Sequence, residues 1–199
     1  LSYISKELLS AIAMAITLIA FLPYIRSIIK GVVKPHVFSW VIWGTTTFIV
    51  FLAQLDDEGG AGAWAIGFSG CISILIAILA FLNRSDISIT KIDWLFLILA
   101  MSSLPIWYFT SDPMWAVVIL TVIDLLGFGP TIRKSYNQPQ SESPGFFALF
   151  ATRNLIVIMA LENYTVATVL FPAAIAFSCL FLITMIVYRR RIIAMPPMW

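Results

Sequence analysis

Apolar residues in this chain come in long runs rather than in stripes. A helix resting on a soluble core shows an apolar face; a helix apolar all round belongs in lipid. Seven such runs stand out, at roughly 8–29, 36–54, 62–82, 92–110, 114–131, 145–162 and 165–188. Each is near the ~20 residues that cross a bilayer at ~1.5 Å per residue. The pattern predicts seven transmembrane helices joined by short loops, with no room for a separate soluble domain. The first run follows Lys6 as a signal peptide would. It lacks a small-residue cleavage site and continues into Pro23-Tyr24-Ile25-Arg26, so we read it as a retained helix. The chain starts at Leu1 rather than Met, which points to a trimmed or processed N-terminus.

Composition strengthens the lipid reading. Of 199 residues, 61% are hydrophobic and 11% charged, with a mean hydropathy of +0.98. Soluble domains carry about 45–50% apolar and about 25% charged residues, and a domain this small leaves much of its surface in solvent. A soluble enzyme, a disordered tail and a nucleic-acid binder are disfavoured; the bilayer is the expected partner.

The placement of the scarce charges sets a direction. Arg26, Lys30 and Lys34 follow the first run, and Arg84 and Lys91 separate the third and fourth. Arg133 and Lys134 follow the fifth, and Arg189, Arg190 and Arg191 follow the seventh. The alternate connections hold Asp56, Asp57, Glu58, Asp112 and Glu162. The positive-inside rule then puts the N-terminus outside and the C-terminus in the cytoplasm of a multi-pass membrane protein. The Arg189–Arg191 run suits anionic lipid better than nucleic acid. Cys71 and Cys179 fall in apolar runs and read as packing residues; with one histidine, His36, they build no zinc site. No cofactor or metal is expected.

Two segments of the chain echo each other. Ala20-Phe21-Leu22-Pro23-Tyr24-Ile25-Arg26 closes the first run, and Gly127-Phe128-Gly129-Pro130-Thr131-Ile132-Arg133 closes the fifth, with the prolines 107 positions apart. At an offset of 109, Pro35 matches Pro144, Phe38 matches Phe147, Leu52 matches Leu161, and Phe68-Ser69 matches Phe177-Ser178. We read a duplication of a three-helix unit with the fourth run left over. The halves start four spans apart and point the same way, as parallel repeats do. The predicted fold is an all-α membrane protein: a first bundle over 1–83, a linker helix over 84–112, and a second bundle with a basic tail over 113–199.

This three-plus-one-plus-three order, with proline near the cytoplasmic end of spans one and five, resembles the PQ-loop and SWEET-like superfamily. That group includes SWEET sugar carriers, lysosomal amino-acid exporters and, more distantly, the KDEL receptor; bacterial nicotinamide riboside transporters share the architecture. The proline-glutamine pair of PQ-loop proteins is replaced here by Pro23-Tyr24 and Pro130-Thr131, and Pro139-Gln140 lies out of register. The resemblance implies a transporter of a small-molecule substrate, or a seven-helix receptor or scaffold without transport.

Prolines inside helices remove a hydrogen bond and kink the chain. Pro23 and Pro130, the second loosened by Gly127 and Gly129, read as matched hinges for two halves that rock by alternating access. Charge within the bilayer costs ~2.5–3.5 kcal/mol on insertion scales, so Asp124 and Arg153 stand out. Their depths, ~9 and ~12 Å from the cytoplasmic end at helical rise, allow them to pair. They read either as a structural ion pair or as a substrate-facing cation and a coupling carboxylate. Asn154, Trp40, Trp43 and Thr46 supply amide, aromatic and hydroxyl groups suited to orienting a polar solute. Ser69 and Ser178 occupy matched positions in spans expected to line a cavity. Gln54 reads as a cap on span two, and Trp64, Trp94, Trp107 and Trp115 as an interfacial belt. An opsin is excluded by the absence of lysine from Thr165–Tyr188. Enzymatic constellations and phosphate-binding loops are not evident. A homo-oligomer stays open.

Overall fold

The structure, a computed structural model, describes residues 5–31, 37–83, 91–137, 139–141 and 143–194. Lys34, Pro35, His36 and Arg84 lie outside them. Within the described helices, the side chains of residues 92, 93, 129, 130, 133, 134, 141 and 194 are likewise not described.

Among the described residues seven α-helices carry the fold: α1 (Lys6–Ile29), α2 (Val37–Asp56), α3 (Ala61–Leu82), α4 (Lys91–Thr110), α5 (Pro113–Asn137), α6 (Pro144–Ala160) and α7 (Val166–Ala194). A short 3₁₀ turn, Pro139–Ser141, follows α5. α1, α2, α3 and α7 are long and apolar enough to cross a membrane, and shorter apolar stretches occupy Trp94–Thr110, Pro113–Phe128 and Pro144–Ala160. Outward-facing side chains such as Tyr108, Phe109, Phe177 and Phe81 are large and apolar. Such a surface suits hydrocarbon, and we describe the chain as a helical membrane protein.

Local chemistry explains where the helices start and stop. Ser5 caps α1 by accepting a hydrogen bond from the Leu8 amide at 3.2 Å, and Gly31 ends the helix at φ +68°, as a left-handed terminus requires. Asp112 accepts from the Met114 amide at 2.9 Å, and Pro113 begins α5, where its missing N–H costs nothing. Pro144 does the same for α6. Two helices outrun their expected ends: α5 continues to Asn137 and α7 to Ala194. Arg189 Nε donates to the Tyr136 carbonyl at 3.0 Å and Arg190 Nε to the Pro139 carbonyl at 2.9 Å. Hydropathy marks where lipid ends; the backbone runs on while its polar turns find partners.

Small residues bring the helices close, as they do in membranes. α2 and α3 approach where Gly44 meets Ile74 and Gly70 meets Phe48, and α3 meets the end of α6 where Gly62 abuts Val157 and Leu161. α1 packs on α3 and α6, α2 on α3 and α5, α5 on α7, and α6 on α7, while α4 lies against α5 and, less extensively, α2. Weaker contacts join α3 to α6 and α2 to α7. The α2–α3 turn, the α6–α7 turn and the start of α1 meet at one end, which holds Asp57, Glu58 and Glu162 and is called the acidic end below. The ends of α5 and α7, with Arg189 and Arg190, mark the opposite, basic end.

Candidate functional site

Asp124 and Arg153 are carried into the interior by the two helices the sequence singles out, α5 and α6, and are 8% and 3% exposed. No ion pair joins them among the described residues, because each is drawn to its own wall. Asp124 Oδ1 accepts from Thr46 Oγ1 of α2 at 3.0 Å. Arg153 reaches across α6 to two other helices: Nε donates to Thr17 Oγ1 of α1 at 3.2 Å, and Nη2 to the Ala65 carbonyl of α3 at 2.6 Å. Its Nη1 donates to Asn154 Oδ1 at 3.0 Å. The pairing allowed by their depths is therefore replaced by two separate charged centres, since helical depth says nothing about the direction in which a side chain turns.

Both charges line one cavity of about 220 Å³ between α1–α3 and α5–α7. Aromatic residues dominate its wall: Trp40 and Trp43 from α2, Phe21 from α1, Phe128 from α5, Phe146, Phe147 and Phe150 from α6, and Phe171 from α7. Hydroxyls of Thr47, Ser69, Ser73 and Thr131 complete it, with Gly127, Ile175 and Cys179. The rings brace each other edge to face, Trp40 on Trp43 at 5.3 Å and 89° and Phe21 on Phe150 at 5.3 Å and 86°, as their quadrupoles favour. A second cavity of about 400 Å³ adjoins it on the basic side, sharing Phe21, Trp40, Trp43 and Phe146 and adding Tyr24 and Ser39.

The expected site residues divide by what they do here. Trp40, Trp43, Ser69, Asp124 and Arg153 face the cavity, as does Gly127. Thr46 and Asn154 are fully buried outside the lining: Thr46 holds Asp124, and Asn154 holds Arg153 while donating to the Phe150 carbonyl at 2.8 Å. Ser178 is half-buried and away from the lining, and its neighbour Cys179 faces inward instead. Pro23 is exposed within an unbroken α1. Gly129 and Pro130 lie within α5. Prolines also sit inside α4 at Pro105 and α7 at Pro172, so the matched pair is not alone.

Several contributors carried no distinguishing signal in sequence. Thr17 both receives the Arg153 hydrogen bond and donates to the Ala13 carbonyl at 2.8 Å. Ser73 also lines the cavity, one helical turn from the expected Ser69 on α3, and helical spacing points to it. Gln54 is not an exposed cap: it is fully buried, and its Nε2 donates to the Thr168 carbonyl at 2.7 Å, tying α2 to α7.

Beyond that tie the acidic end is clasped shut. Asn163 Nδ2 donates to the Asp57 carbonyl at 3.1 Å, and Thr165 Oγ1 donates to the Asp57 carboxylate. The Ala61 amide donates to Glu162 Oε1 at 3.2 Å, the Glu162 amide to the Gly59 carbonyl at 3.2 Å, and Lys6 Nζ to the Met159 carbonyl at 2.7 Å. Every one of these bonds crosses from the α1–α3 side to the α6–α7 side. No family model, curated protein or solved structure matches this chain.

Proposed function

We propose that the protein is a membrane transporter for a small polar solute, working by alternating access of α1–α3 against α5–α7. The observation that carries this reading is the cavity between the two sets of helices. It holds two buried charges and a wall of aromatic rings and hydroxyls, is continued by a second cavity toward the basic end, and is capped by hydrogen bonds at the acidic end. An internal polar site with a closed side and an approachable side is what one state of an alternating-access carrier requires.

The pattern of helix packing supports the parallel repeat. Exchanging α1 with α5, α2 with α6 and α3 with α7 turns each packed pair among these six helices into another packed pair, and leaves α4 outside the exchange. Such an exchange is what a two-fold axis along the membrane normal would produce. The PQ-loop and SWEET-like superfamily remains the architecture this arrangement most resembles. With basic residues inside, the N-terminus is outside and the cavity is approached from the cytoplasm.

Reconstituted protein in proteoliposomes tests the proposal by solute counterflow across a broad metabolite panel. Flux of at least one solute is expected; binding without any flux overturns transport in favour of a receptor or scaffold. Pro23 has no N–H for the Ile19 carbonyl. If it and Pro130 are hinges, replacing both by alanine lowers turnover about tenfold at unchanged solute affinity, a step of ~1.4 kcal/mol. Unchanged turnover in the double variant removes the hinges from the mechanism.

A further inference from the structure

The charges in the cavity are arranged in a way that packing alone does not explain. Asp124 and Arg153 are each more than nine-tenths buried, of opposite sign, and line one cavity, yet they do not meet. A buried ion left without a counter-ion is costly, and two kept apart gain little from each other. Their immediate partners are neutral. Among the described residues Asp124 receives one hydrogen bond, from Thr46, whose single hydroxyl proton is shared with the Trp43 carbonyl at 3.1 Å. Arg153 gives one hydrogen from each of its three nitrogens to neutral oxygens. A guanidinium has five N–H groups, so one remains on each terminal nitrogen, the fork that grips carboxylates.

An occupant bearing only a cation would satisfy Asp124 and leave Arg153 more exposed to like charge. An occupant bearing only an anion would do the reverse. An occupant with both satisfies both and leaves the net charge of the cavity unchanged. The aromatic wall favours the same molecule twice, since ring faces stack on a flat or apolar body and attract an organic cation. Phe128 lies one turn from Asp124 on α5, Trp43 one turn from Thr46, which bonds Asp124, on α2, and Phe150 one turn from Arg153 on α6; all three rings line the cavity. The charged part of the cavity, about 220 Å³ before it continues into the adjoining one, suits a small body.

Resting on the solute-site reading above, we infer that the cavity binds a small zwitterion whose cationic and anionic groups stand at opposite ends of a flat or apolar body. The cation faces Asp124 and the anion faces Arg153.

The test is equilibrium binding to the purified full chain with matched probes. 4-(Aminomethyl)benzoate carries both charges on an aromatic body; benzylamine and 4-methylbenzoate carry one each. 5-Aminovalerate, pentylamine and valerate repeat the comparison on an aliphatic body, and phenylalanine places both charges on one carbon. In at least one trio the zwitterion is expected to bind about tenfold or more tighter than either single-charge probe, and tighter than phenylalanine. Asp124→Asn should weaken the zwitterion and the amine about thirtyfold while sparing the acid, the scale of losing one partner of a buried charge pair. Arg153→Lys keeps the charge but not the fork, and should weaken the acid and the zwitterion only. The inference is overturned if neither zwitterion outbinds its single-charge relatives, if phenylalanine binds as well, or if folded Asp124→Asn binds zwitterion normally. Should Asp124→Asn fail to fold, the probe ranking on the unmodified chain and the Arg153→Lys response decide. Zwitterion binding without flux would overturn transport alone. Flux of an uncharged sugar with no zwitterion bound would overturn the zwitterion alone.

Discussion

The two ends of the molecule are held together by different physics. At the acidic end the turns after α2 and α6 exchange directional bonds, through Asp57, Asn163, Thr165 and Glu162, with Gln54 and Thr168 one layer deeper. At the basic end of the cavity the contacts are between rings: Phe21, Tyr24 and Trp43 each on Trp40, and Phe146 on Phe150. A hydrogen bond loses its worth over a fraction of an ångström and specifies one geometry. Ring contacts are weaker individually and tolerate offset and tilt, as the spread from 35° to 89° among these pairs shows. Under the proposed mechanism the contrast is a division of labour: the polar end would act as a closure with two discrete positions, and the aromatic end as a surface that a solute displaces.

The largest expected effect comes from breaking the clasp. Asp57→Ala with Asn163→Ala removes two bonds between the halves, one of them to a carboxylate, worth together about 2 kcal/mol and hence about thirtyfold in the open population. Cys179 lines the cavity and reports on this. In a Cys71→Ser background, labelling of Cys179 by a membrane-impermeant thiol reagent from the acidic side should rise about thirtyfold. An unchanged rate would show that the clasp is decoration on a seal made elsewhere.

The aromatic end should respond in the opposite sense. Trp43→Ala deletes the ring that stands edge to face on Trp40 and borders Gly127. Solute affinity should fall about tenfold, from lost area and ring contact, with Cys179 labelling from the acidic side unaltered. Acidic-side labelling that rises with this variant would erase the division between the ends.

Between these extremes lies Gly60, in the α2–α3 turn. Its φ of +60° disfavours any side chain, and a Cβ there would run into the Glu162 side chain. Glu162 is exposed and swings aside only by giving up its bond from the Ala61 amide, and that one bond between the halves, about 1 kcal/mol, is the part of the cost of Gly60→Ala felt by the closure. Labelling of Cys179 from the acidic side should increase about fivefold, less than for the clasp double variant. An effect larger than that variant's would make the turn conformation, and not the side-chain bonds, the element that holds the end shut.

How much of this the sequence discloses depends on which residues are rare in their setting. A helix in lipid needs an apolar surface all round, so the seven runs and a charge inside them are conspicuous, and Asp124, Arg153, Trp40 and Trp43 converge on the cavity. Phenylalanine is common in the same helices and carries no such mark. Phe171 is 3% exposed and Phe177 is 72% exposed, six positions apart on α7, with nothing in their identity to tell lining from lipid-facing. The same geometry separates Ser69 from Ser178: a repeat offset matches positions along the axis, but rotation of α7 turns Cys179 inward in place of its neighbour. Thr46, Asn154 and Thr17 act through other side chains, and such roles depend on neighbours from distant parts of the chain.

Gln54 gives the smallest and most discriminating change. Its Nε2 bonds the Thr168 carbonyl across the halves, while its Oε1 is buried with no partner among the described residues. Gln54→Leu loses a bond worth about 0.6 kcal/mol in membrane helices and also relieves an unsatisfied buried oxygen. Pro172 has no N–H to give the Thr168 carbonyl, so leucine leaves that oxygen unpartnered as it removes the unpartnered Oε1; the two terms nearly cancel in overall stability, and the thermal midpoint should move by no more than about 2 °C. They do not cancel in the closure, because the lost bond joins the halves in the closed position while relief of Oε1 is felt wherever that oxygen is buried. Acidic-side labelling of Cys179 should therefore rise by about two- to threefold with stability unchanged. A drop in stability with no change in labelling would mean that Gln54 secures the packing of α2 on α7 in both positions, and that the closure begins only at Asp57.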